Sequence, residues 1–186
     1  MRNRAFTTRY PGRVRVILTK VGVFLPLTEE EAKAQTPQIN ECMAIWDTGA
    51  THSGITKKVA DNLGLRPTGI AEVRHANGKS LTNTYLVNIS LPNGVTVSQI
   101  RVTEVQLLPD PNIPEEKQPQ VLIGMDIIAM GDFAITNSGQ KTTLSFRTPP
   151  HKEIDFIPEA DEQNIQETGR NRHERRAMKA SVRKSY

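Results

Sequence analysis

The sequence predicts an all-β domain with one short helix, followed by a flexible C-terminal tail. Three observations support this fold class. Glycine and proline are frequent, with 12 residues each, whereas aromatic residues make up only 5% of the chain, which favours a turn-rich β protein over a helix bundle. Several short runs alternate between apolar and polar residues, the period of half-buried strands. Two Asn-Gly pairs separate such runs, and Asn-Gly is the preferred sequence of tight hairpin turns.

The first half of the domain is expected to contain strands followed by the short helix. Residues Arg13–Phe24 alternate and are rich in β-branched side chains, which predicts one or two strands. The segment 27–37 is compatible with a short helix capped by Thr28 or with a polar loop. Residues 41–47 predict a buried strand. Three apolar residues at helical spacing predict one short helix that ends at a glycine: Ile55, Val59, Leu63 and Gly64.

The second half is expected to contain three hairpins. The pairs Asn77-Gly78 and Asn93-Gly94 each divide two alternating runs. The segment 109–120 is polar and rich in proline, which predicts an irregular surface loop. Residues 120–124 predict a short buried strand that ends at a glycine and leads into a helical turn. Residues 132–146 predict the third hairpin, because two apolar runs flank an Asn-Ser-Gly-Gln turn.

Charge divides the chain into three regions: a basic N-terminal arm at 1–12, the domain at 13–148 and a tail at 149–186. The net charge is +4, and the excess lies mainly at the two ends. The tail is first polar and then basic, so we expect it to be disordered or partly helical. Seven Lys or Arg fall between residues 170 and 184. This stretch predicts either a weak nucleic-acid contact or tether to a partner, or simply a solvated tail.

Cysteine content and hydropathy favour a soluble cytoplasmic protein. Cys42 is the single cysteine, which excludes an intrachain disulfide and is compatible with a reducing compartment. The basic start of the chain is not followed by the apolar region of a secretory signal. No apolar run approaches the length of a membrane span. We therefore expect no membrane association.

The stretch AIWDTGATHSGI, residues Ala44–Ile55, places a carboxylate at the end of an apolar strand. Such a carboxylate is costly to bury, which indicates a function for Asp47. Gly49 permits a tight turn and the close approach of another chain. Thr48 supplies a hydroxyl that can brace the loop, and Ala50 fits where little room remains.

A single carboxylate does not complete the chemistry that this triplet indicates. Two carboxyls that share one proton can activate a water molecule, because one acts as a base while the other stays protonated. The sequence contains no second Asp-Thr-Gly or Asp-Ser-Gly, and at Asn137 the nearest similar triplet carries an amide. The domain is also too short for two lobes. A second copy on a two-fold axis would place its own Asp47 beside the first, which predicts a homodimer.

Two segments, Ala44–Ile55 and the later Val121–Ile135, resemble the retropepsin-like aspartic peptidases. Their sequences are more similar to those of bacterial members than to those of viral members. Both the order of the two segments and their spacing fit that family. Over residues 13–148 the resemblance implies a closed β-barrel, the acid-protease lobe. It implies an aspartic endopeptidase without metal or cofactor. Its site residues would be the catalytic Asp47, the loop residues Thr48, Gly49 and Ala50, and Gly124 of the ψ-loop.

The same resemblance implies a flap and particular contacts in the dimer. Thr48 is expected to form a hydrogen bond across the dimer, and Gly49 to lie along the substrate backbone. A β-hairpin flap closes over the substrate in this family, and Val73–Tyr85 occupies the matching place. Its tip has a single glycine, unlike the glycine-rich viral flaps. The flap residues expected to bind substrate are His75, Ala76, Asn77, Gly78 and Lys79.

Three further residues near the motifs are assigned structural roles. His52 is interpreted as a polar residue near the mouth of the site, since carboxylate-pair chemistry needs no imidazole. Asp126 is expected to start or cap the short helix after the ψ-loop glycine. Trp46 is expected to pack in the core rather than to recognise substrate.

The predicted function is hydrolysis of peptide bonds by a water molecule activated between the two Asp47 carboxylates of a homodimer. The alternative is a catalytically silent module of the same fold, which uses its basic tail to contact nucleic acid or a partner protein. Asp47→Asn separates these hypotheses, because it removes cleavage in the first and leaves binding intact in the second.

Overall fold

The computed structural model describes residues 4–27, 30, 36–75 and 78–164, with the backbone alone for Arg74 and His75. The chain divides into two units, Met1–His151 and Lys152–Tyr186. Most of the segment 27–37 lies outside the described residues, as does the basic stretch 170–184. The predictions for these two segments therefore stay predictions.

The described part of the first unit contains ten strands, two short α-helices and two 3₁₀ turns, at Glu115–Lys117 and Ser138–Gln140. The helices are α1 Lys57–Asn62 and the single turn α2 Met125–Ile128. The strands, in chain order, are β1 Arg4–Arg9, β2 Leu18–Phe24, β3 Asn40–Trp46, β4 Gly54–Ile55, β5 Gly69–His75, β6 Gly78–Ser90, β7 Thr96–Glu104, β8 Pro119–Ile123, β9 Asp132–Thr136 and β10 Thr143–Thr148.

Six strands close into a barrel, which confirms the predicted fold class. The larger sheet has the order β2-β3-β8-β4-β7-β6-β5, and β2 also pairs with β6. This extra pairing closes the ring and leaves β5 outside it, attached to β6. The pairs β3–β8 and β4–β7 are parallel, whereas the other pairs are antiparallel. Fully buried side chains fill the interior, among them Val23, Ile55, Val87, Val102 and Ile123.

The remaining strands form a separate sheet, β1-β10-β9, which packs on the barrel through aromatic rings. Phe6, Phe146 and Phe133 are paired in register across this sheet. The ring of Trp46 lies 5.3 Å from that of Phe146 and stacks at 5.6 Å on Phe133. Its indole nitrogen donates to the Thr19 hydroxyl at 2.9 Å, so the buried ring has no orphaned donor. The packing role predicted for Trp46 is confirmed.

The N-terminal region differs from the sequence-based expectation in two respects. Residues Arg4–Arg9, assigned to the basic arm, form β1 and pair along β10. The strand predicted at Arg13–Phe24 begins only at Leu18, so the prediction was wrong for its first five residues. Hydrogen bonds outside regular strand pairing hold that segment instead. For example, the Val14 N–H donates to the Thr142 hydroxyl. These contacts join residues far apart in the sequence, so local alternation could not reveal them.

The predicted helix and hairpins are confirmed. Helix α1 buries Val59 and Ala60, and Gly64 follows it with a positive φ of 61°. The β5–β6 hairpin pairs from Gly69↔Thr84 to His75↔Gly78, while its tip residues 76 and 77 lie outside the described residues. Strands β6 and β7 are joined by the Asn93-Gly94 turn, and β9 pairs antiparallel with β10.

The second unit is described only from residue 152 to residue 164. Residues 157–164 are helical and exposed. Within the described parts of both units, no helix is long and apolar enough to cross a membrane.

Candidate active site

Asp47 follows β3 directly, and β3 is bonded on both sides within the barrel. The backbone N–H of Asp47 donates to the Ile123 carbonyl at 2.9 Å, which continues the parallel pairing with β8 by one residue. The carboxylate is half-buried, and its Oδ1 accepts the Gly49 N–H at 2.8 Å. The Ala50 N–H donates to the Asp47 carbonyl at 3.2 Å. The chain therefore turns tightly around the carboxylate at the end of a fixed strand.

The aspartate loop, residues 47–53, presents its next residues to solvent. Thr48 and Gly49 are exposed and Ala50 is half-buried. A Cβ at Gly49 would lie 3.2 Å from Oδ1 of Asp47. Because this is tighter than nearly all real Cβ contacts, a larger residue here would press on the carboxylate.

Gly124 lies beneath the aspartate loop, and the fit leaves no room for a side chain. A Cβ at Gly124 would meet the His52 carbonyl carbon at 2.7 Å and oxygen at 2.8 Å, and the Ala50 carbonyl oxygen at 2.9 Å. The Met125 N–H donates to that Ala50 oxygen at 2.8 Å, and the Asp126 N–H donates to Thr51 at 3.2 Å. The turn at 124–126, which we call the clamp, thus holds the aspartate loop backbone to backbone.

A buried polar pair joins the same two segments, and sequence reasoning missed half of it. Ser53 is fully buried, and its hydroxyl donates to Oδ1 of Asp126 at 2.6 Å while accepting the Gly124 N–H at 3.0 Å. The Ser53 N–H donates to the other Asp126 oxygen at 2.8 Å. Asp126 also accepts the Ile127 N–H at 2.9 Å, which agrees with its expected place at the helix start. Its carboxylate therefore fixes the loop as well as α2.

The remaining sequence-based candidates are spread around this centre. His52 is exposed, and its backbone rather than its ring contacts Gly124. Gly78 and Lys79 are exposed on the β5–β6 hairpin, where Lys79 forms an ion pair with Glu72 at 2.9 Å. His75 lies opposite Gly78 in register. The structure gives no account of Ala76 or Asn77, which lie outside the described residues.

Other reactive side chains in the described residues do not compete for the chemistry. Cys42 is buried, and burial raises the pKa of its thiol to about 11, so the thiolate is scarce at neutral pH. No group of three or more His, Cys, Asp or Glu that could hold a metal ion occurs among the described residues.

A cavity of about 920 Å³ lies between the β5–β6 hairpin and the barrel. Its walls include Val73 and Leu81 from the hairpin and Leu122 from β8. Leu122 directly precedes Ile123, the residue whose carbonyl binds the Asp47 backbone. The cavity therefore reaches the strand that supports Asp47.

One carboxylate in the cavity wall has a buried partner. The Tyr85 hydroxyl donates to Oε2 of Glu104 at 2.5 Å, and the Asn83 amide donates to the same oxygen at 3.3 Å. Burial first, and then the hydrogen bond and negative charge of Glu104, raise the pKa of Tyr85 to about 12. Tyr85 therefore stays a neutral donor at physiological pH, and it fixes the direction of the Glu104 side chain.

The Asp-Thr-Gly triplet lies at a strand end of a closed β-barrel, and the clamp holds it in place. This is the architecture of an aspartic protease lobe. The family model for aspartyl proteases matches residues 35–127, half of the chain, and the chain belongs to this family. The aspartic protease part of the predicted resemblance is confirmed.

Among solved structures, the chain is similar to a retropepsin-like aspartic protease from Rickettsia conorii. The two share 16% sequence identity with a TM-score of 0.44, over 79% of this chain and 96% of that one. No curated protein sequence matches the chain.

Proposed function

We propose that the protein is an aspartic endopeptidase whose active form is a homodimer, with one Asp47 from each copy in a single site. The observation that carries this proposal is the setting of Asp47. Its carboxylate is half-buried at the end of a fixed strand, and Oδ1 is oriented by the Gly49 N–H. Within the described residues no hydrogen bond reaches Oδ2. One carboxylate oxygen is thus held in place while the other is available for water or a second carboxyl.

The second carboxyl is supplied by another copy of the chain. Asp126 is the other acid in the aspartate loop and the clamp, but Ser53 occupies both of its oxygens. Its bonds to the loop backbone give it a supporting role rather than a catalytic one. Thr48 and Gly49 are exposed beside Asp47, so this surface is open to a partner copy on a two-fold axis.

The two Asp47 carboxyls share one proton, because two like charges at short range do not ionise together. The ionised carboxylate takes a proton from water, and the water oxygen bonds to the carbonyl carbon of the substrate. The other carboxyl donates its proton to the carbonyl oxygen. When the tetrahedral intermediate collapses, the carboxyl that took the proton from water gives it to the amine nitrogen and the C–N bond breaks. The other carboxylate takes back a proton from a hydroxyl of the intermediate, so one shared proton remains. The β5–β6 hairpin covers the substrate during these steps.

Dilution with an inactive variant tests both the catalytic residue and the dimer. Asp47→Asn is expected to lower cleavage of a mixed peptide library by about 10³-fold or more, since neither carboxylate nor shared proton remains. When wild type and Asp47→Asn are refolded together, activity should fall as the square of the wild-type fraction. Asp161→Asn, which removes an exposed carboxylate of the second unit, is the matched control and should change neither the cleavage rate nor its dependence on the wild-type fraction.

Three results would contradict the proposal. Undiminished cleavage by purified Asp47→Asn removes the assigned catalyst. A linear dependence on the wild-type fraction shows that each chain works alone. A protein that sediments as a strict monomer at concentrations where it cleaves peptides leads to the same conclusion.

The silent binding module is the second candidate, and the strong positive charge at residues 170–184 favours it. It predicts that Asp47→Asn leaves all measurable function intact, including salt-sensitive binding to nucleic acid. The contact of this stretch with nucleic acid and the cytoplasmic location stay predictions from the sequence.

A further inference from the structure

The cavity between the β5–β6 hairpin and the barrel combines apolar walls with one oriented carboxylate. Leu81 and Leu108 line it as well, and these residues are 75% and 83% exposed. Large apolar side chains exposed together beside a cavity favour contact with a ligand over contact with water. Val73 and Leu122 continue this apolar surface inwards, and Glu104 lies in the same wall.

Glu104 is held so that one of its oxygens remains available. Tyr85 and Asn83 both donate to Oε2, and Tyr85 is only 4% exposed. Within the described residues no hydrogen bond or ion pair reaches Oε1. A carboxylate that loses water on ligand binding needs a donor for this oxygen, and a cationic donor satisfies it best.

The two cations in the cavity wall already have carboxylate partners. Lys57 pairs with Asp61 at 2.8 Å, one turn along α1. Lys58 lies 3.5 Å from Glu115 of the 3₁₀ turn. The hydrogen bond and negative charge of Asp61 raise the pKa of Lys57, and the negative charge of Glu104 adds to this effect, so Lys57 also interacts with Glu104. When Asp61 and Glu115 are counted with the charged residues of the wall, these described side chains carry one net negative charge. The cavity is therefore complementary to a cation on an aliphatic stem.

We propose that this cavity binds a lysine or arginine side chain of the peptide substrate, with Glu104 as the specificity-determining residue. This inference rests on the proposed peptidase function. The aliphatic part of the side chain lies against Leu81 and Leu122, and its cationic end donates to Oε1 of Glu104. A neutral apolar side chain would fill the same walls but would leave that oxygen without water or a partner, which disfavours it.

Two peptide pools that differ only in charge test this preference. Each pool contains fluorescein-labelled octapeptides of random neutral residues with one special residue at any position. That residue is arginine in one pool and citrulline, which has the same shape without the charge, in the other. Wild type should cleave the arginine pool about tenfold faster or more in kcat/KM, the effect of one charged hydrogen bond. Glu104→Gln should bring the ratio of the two rates close to one.

Matched variants separate this role from a merely structural one. Glu116→Gln removes an exposed carboxylate outside the cavity and should keep the wild-type ratio. Leu81→Lys places a cation at an exposed position of the cavity wall and should lower the ratio by repulsion, so it serves as the test if Glu104→Gln fails to fold. A structural role for Glu104 would change stability and overall rate but not the preference between pools.

Binding distinguishes failure of this inference from failure of the proposed function. Fluorescence anisotropy measures the affinity of both pools for Asp47→Asn and for its double variant with Glu104→Gln. If wild type cleaves neither pool, the peptidase proposal fails, and preferential binding of the arginine pool still supports the cavity assignment. Equal cleavage and equal binding of the two pools by wild type would overturn it. An arginine preference that survives both Glu104→Gln and Leu81→Lys would overturn the role of these residues.

Discussion

The aspartate loop and the β5–β6 hairpin are held in opposite ways. The loop is bonded through its backbone to β8 and to the clamp, and the buried Ser53–Asp126 pair adds side-chain bonds. The outer part of the hairpin pairs mainly with itself, and Gly78, Lys79 and Ser80 are all exposed. At the hairpin's base, Tyr85 and Thr84 return to the buried barrel.

From this difference we expect the aspartate loop to be rigid and the β5–β6 hairpin, the proposed flap, to move. A carboxylate that shares a proton must be positioned within a fraction of an ångström, which favours many bonds to fixed backbone. A flap must open for substrate and close over it, which favours few contacts with the core. Mutations in the loop should therefore affect stability and catalysis together, whereas mutations in the hairpin should affect dynamics and substrate binding.

Gly124→Ala is expected to have the largest effect on stability. The added Cβ would lie under 3 Å from three backbone atoms, at His52 and Ala50. These atoms cannot move without breaking the hydrogen bonds between the aspartate loop and the clamp. We expect a loss of about 2–3 kcal/mol in unfolding free energy, with activity reduced at least as strongly. Chemical denaturation measures the loss. Gly12→Ala is the control, because open space surrounds that position; equal stability of the two variants would mean that the loop is not clamped.

Ser53→Ala should have the next largest effect. It leaves the buried Gly124 N–H without its partner and removes one of the two donors to Oδ1 of Asp126, which keeps the Ile127 N–H. The expected cost is about 1–3 kcal/mol. Ser145→Ala removes a hydroxyl from an exposed hydrogen bond with Thr7 and should cost far less. If the two serine variants unfold at the same denaturant concentration, the buried pair does not stabilise the loop.

Lys79→Gln tests the hairpin, where we expect motion to change more than stability. Lys79 and Glu72 are both about half exposed, so their ion pair should contribute less than about 0.5 kcal/mol to global unfolding. Hydrogen exchange of the β5 amides should nevertheless become severalfold faster, while the Asp47 and Met125 amides keep their rates. Lys20→Gln, on the exposed face of β2, should leave both groups unchanged. Equal acceleration in loop and hairpin would remove the distinction between them.

Truncation after His151 should have the smallest effect, below about 0.5 kcal/mol, because residues 152–186 form a separate unit with few apolar anchors. Truncation after Arg147 should cost about 1 kcal/mol more. The shorter chain loses the bond from the Thr148 hydroxyl to Met130 and the bond from the His151 N–H to Asp132. Thermal unfolding of both truncated proteins measures the difference in stability. If the protein truncated after His151 no longer unfolds cooperatively, the tail is part of the fold.

Local features of the fold could be predicted from the sequence. Asn93-Gly94 specifies its turn through residues that are adjacent in the chain, and Gly64 ends α1 for the same reason. Asp47 and Gly124 could be found as well, because each belongs to a short pattern with a chemical meaning. In these cases the cause of the structure lies within a few residues.

The remaining features depend on contacts between distant parts of the chain. Strand β1 carries mostly polar residues and is recognisable only through Phe6, which packs against Trp46 and Phe146. The Ser53–Asp126 pair joins two loops that carry no shared local signal. Glu104 looks like any strand-end carboxylate until β6 places Tyr85 beside it. The supporting residues of the site and the charge of the cavity could therefore not be predicted.

The interlock between the aspartate loop and the clamp has a consequence for biosynthesis. Its two halves are far apart in the sequence, so the contact is of high contact order and forms late in folding. As the chain emerges from the ribosome, Asp47 appears long before Gly124, and until then its turn has neither the Ile123 carbonyl nor the Ala50–Met125 bond. Until Gly124 has emerged, the chain carries Asp47 without the backbone that positions it. On the proposed function, we expect the unfinished chain to be inactive towards its neighbours.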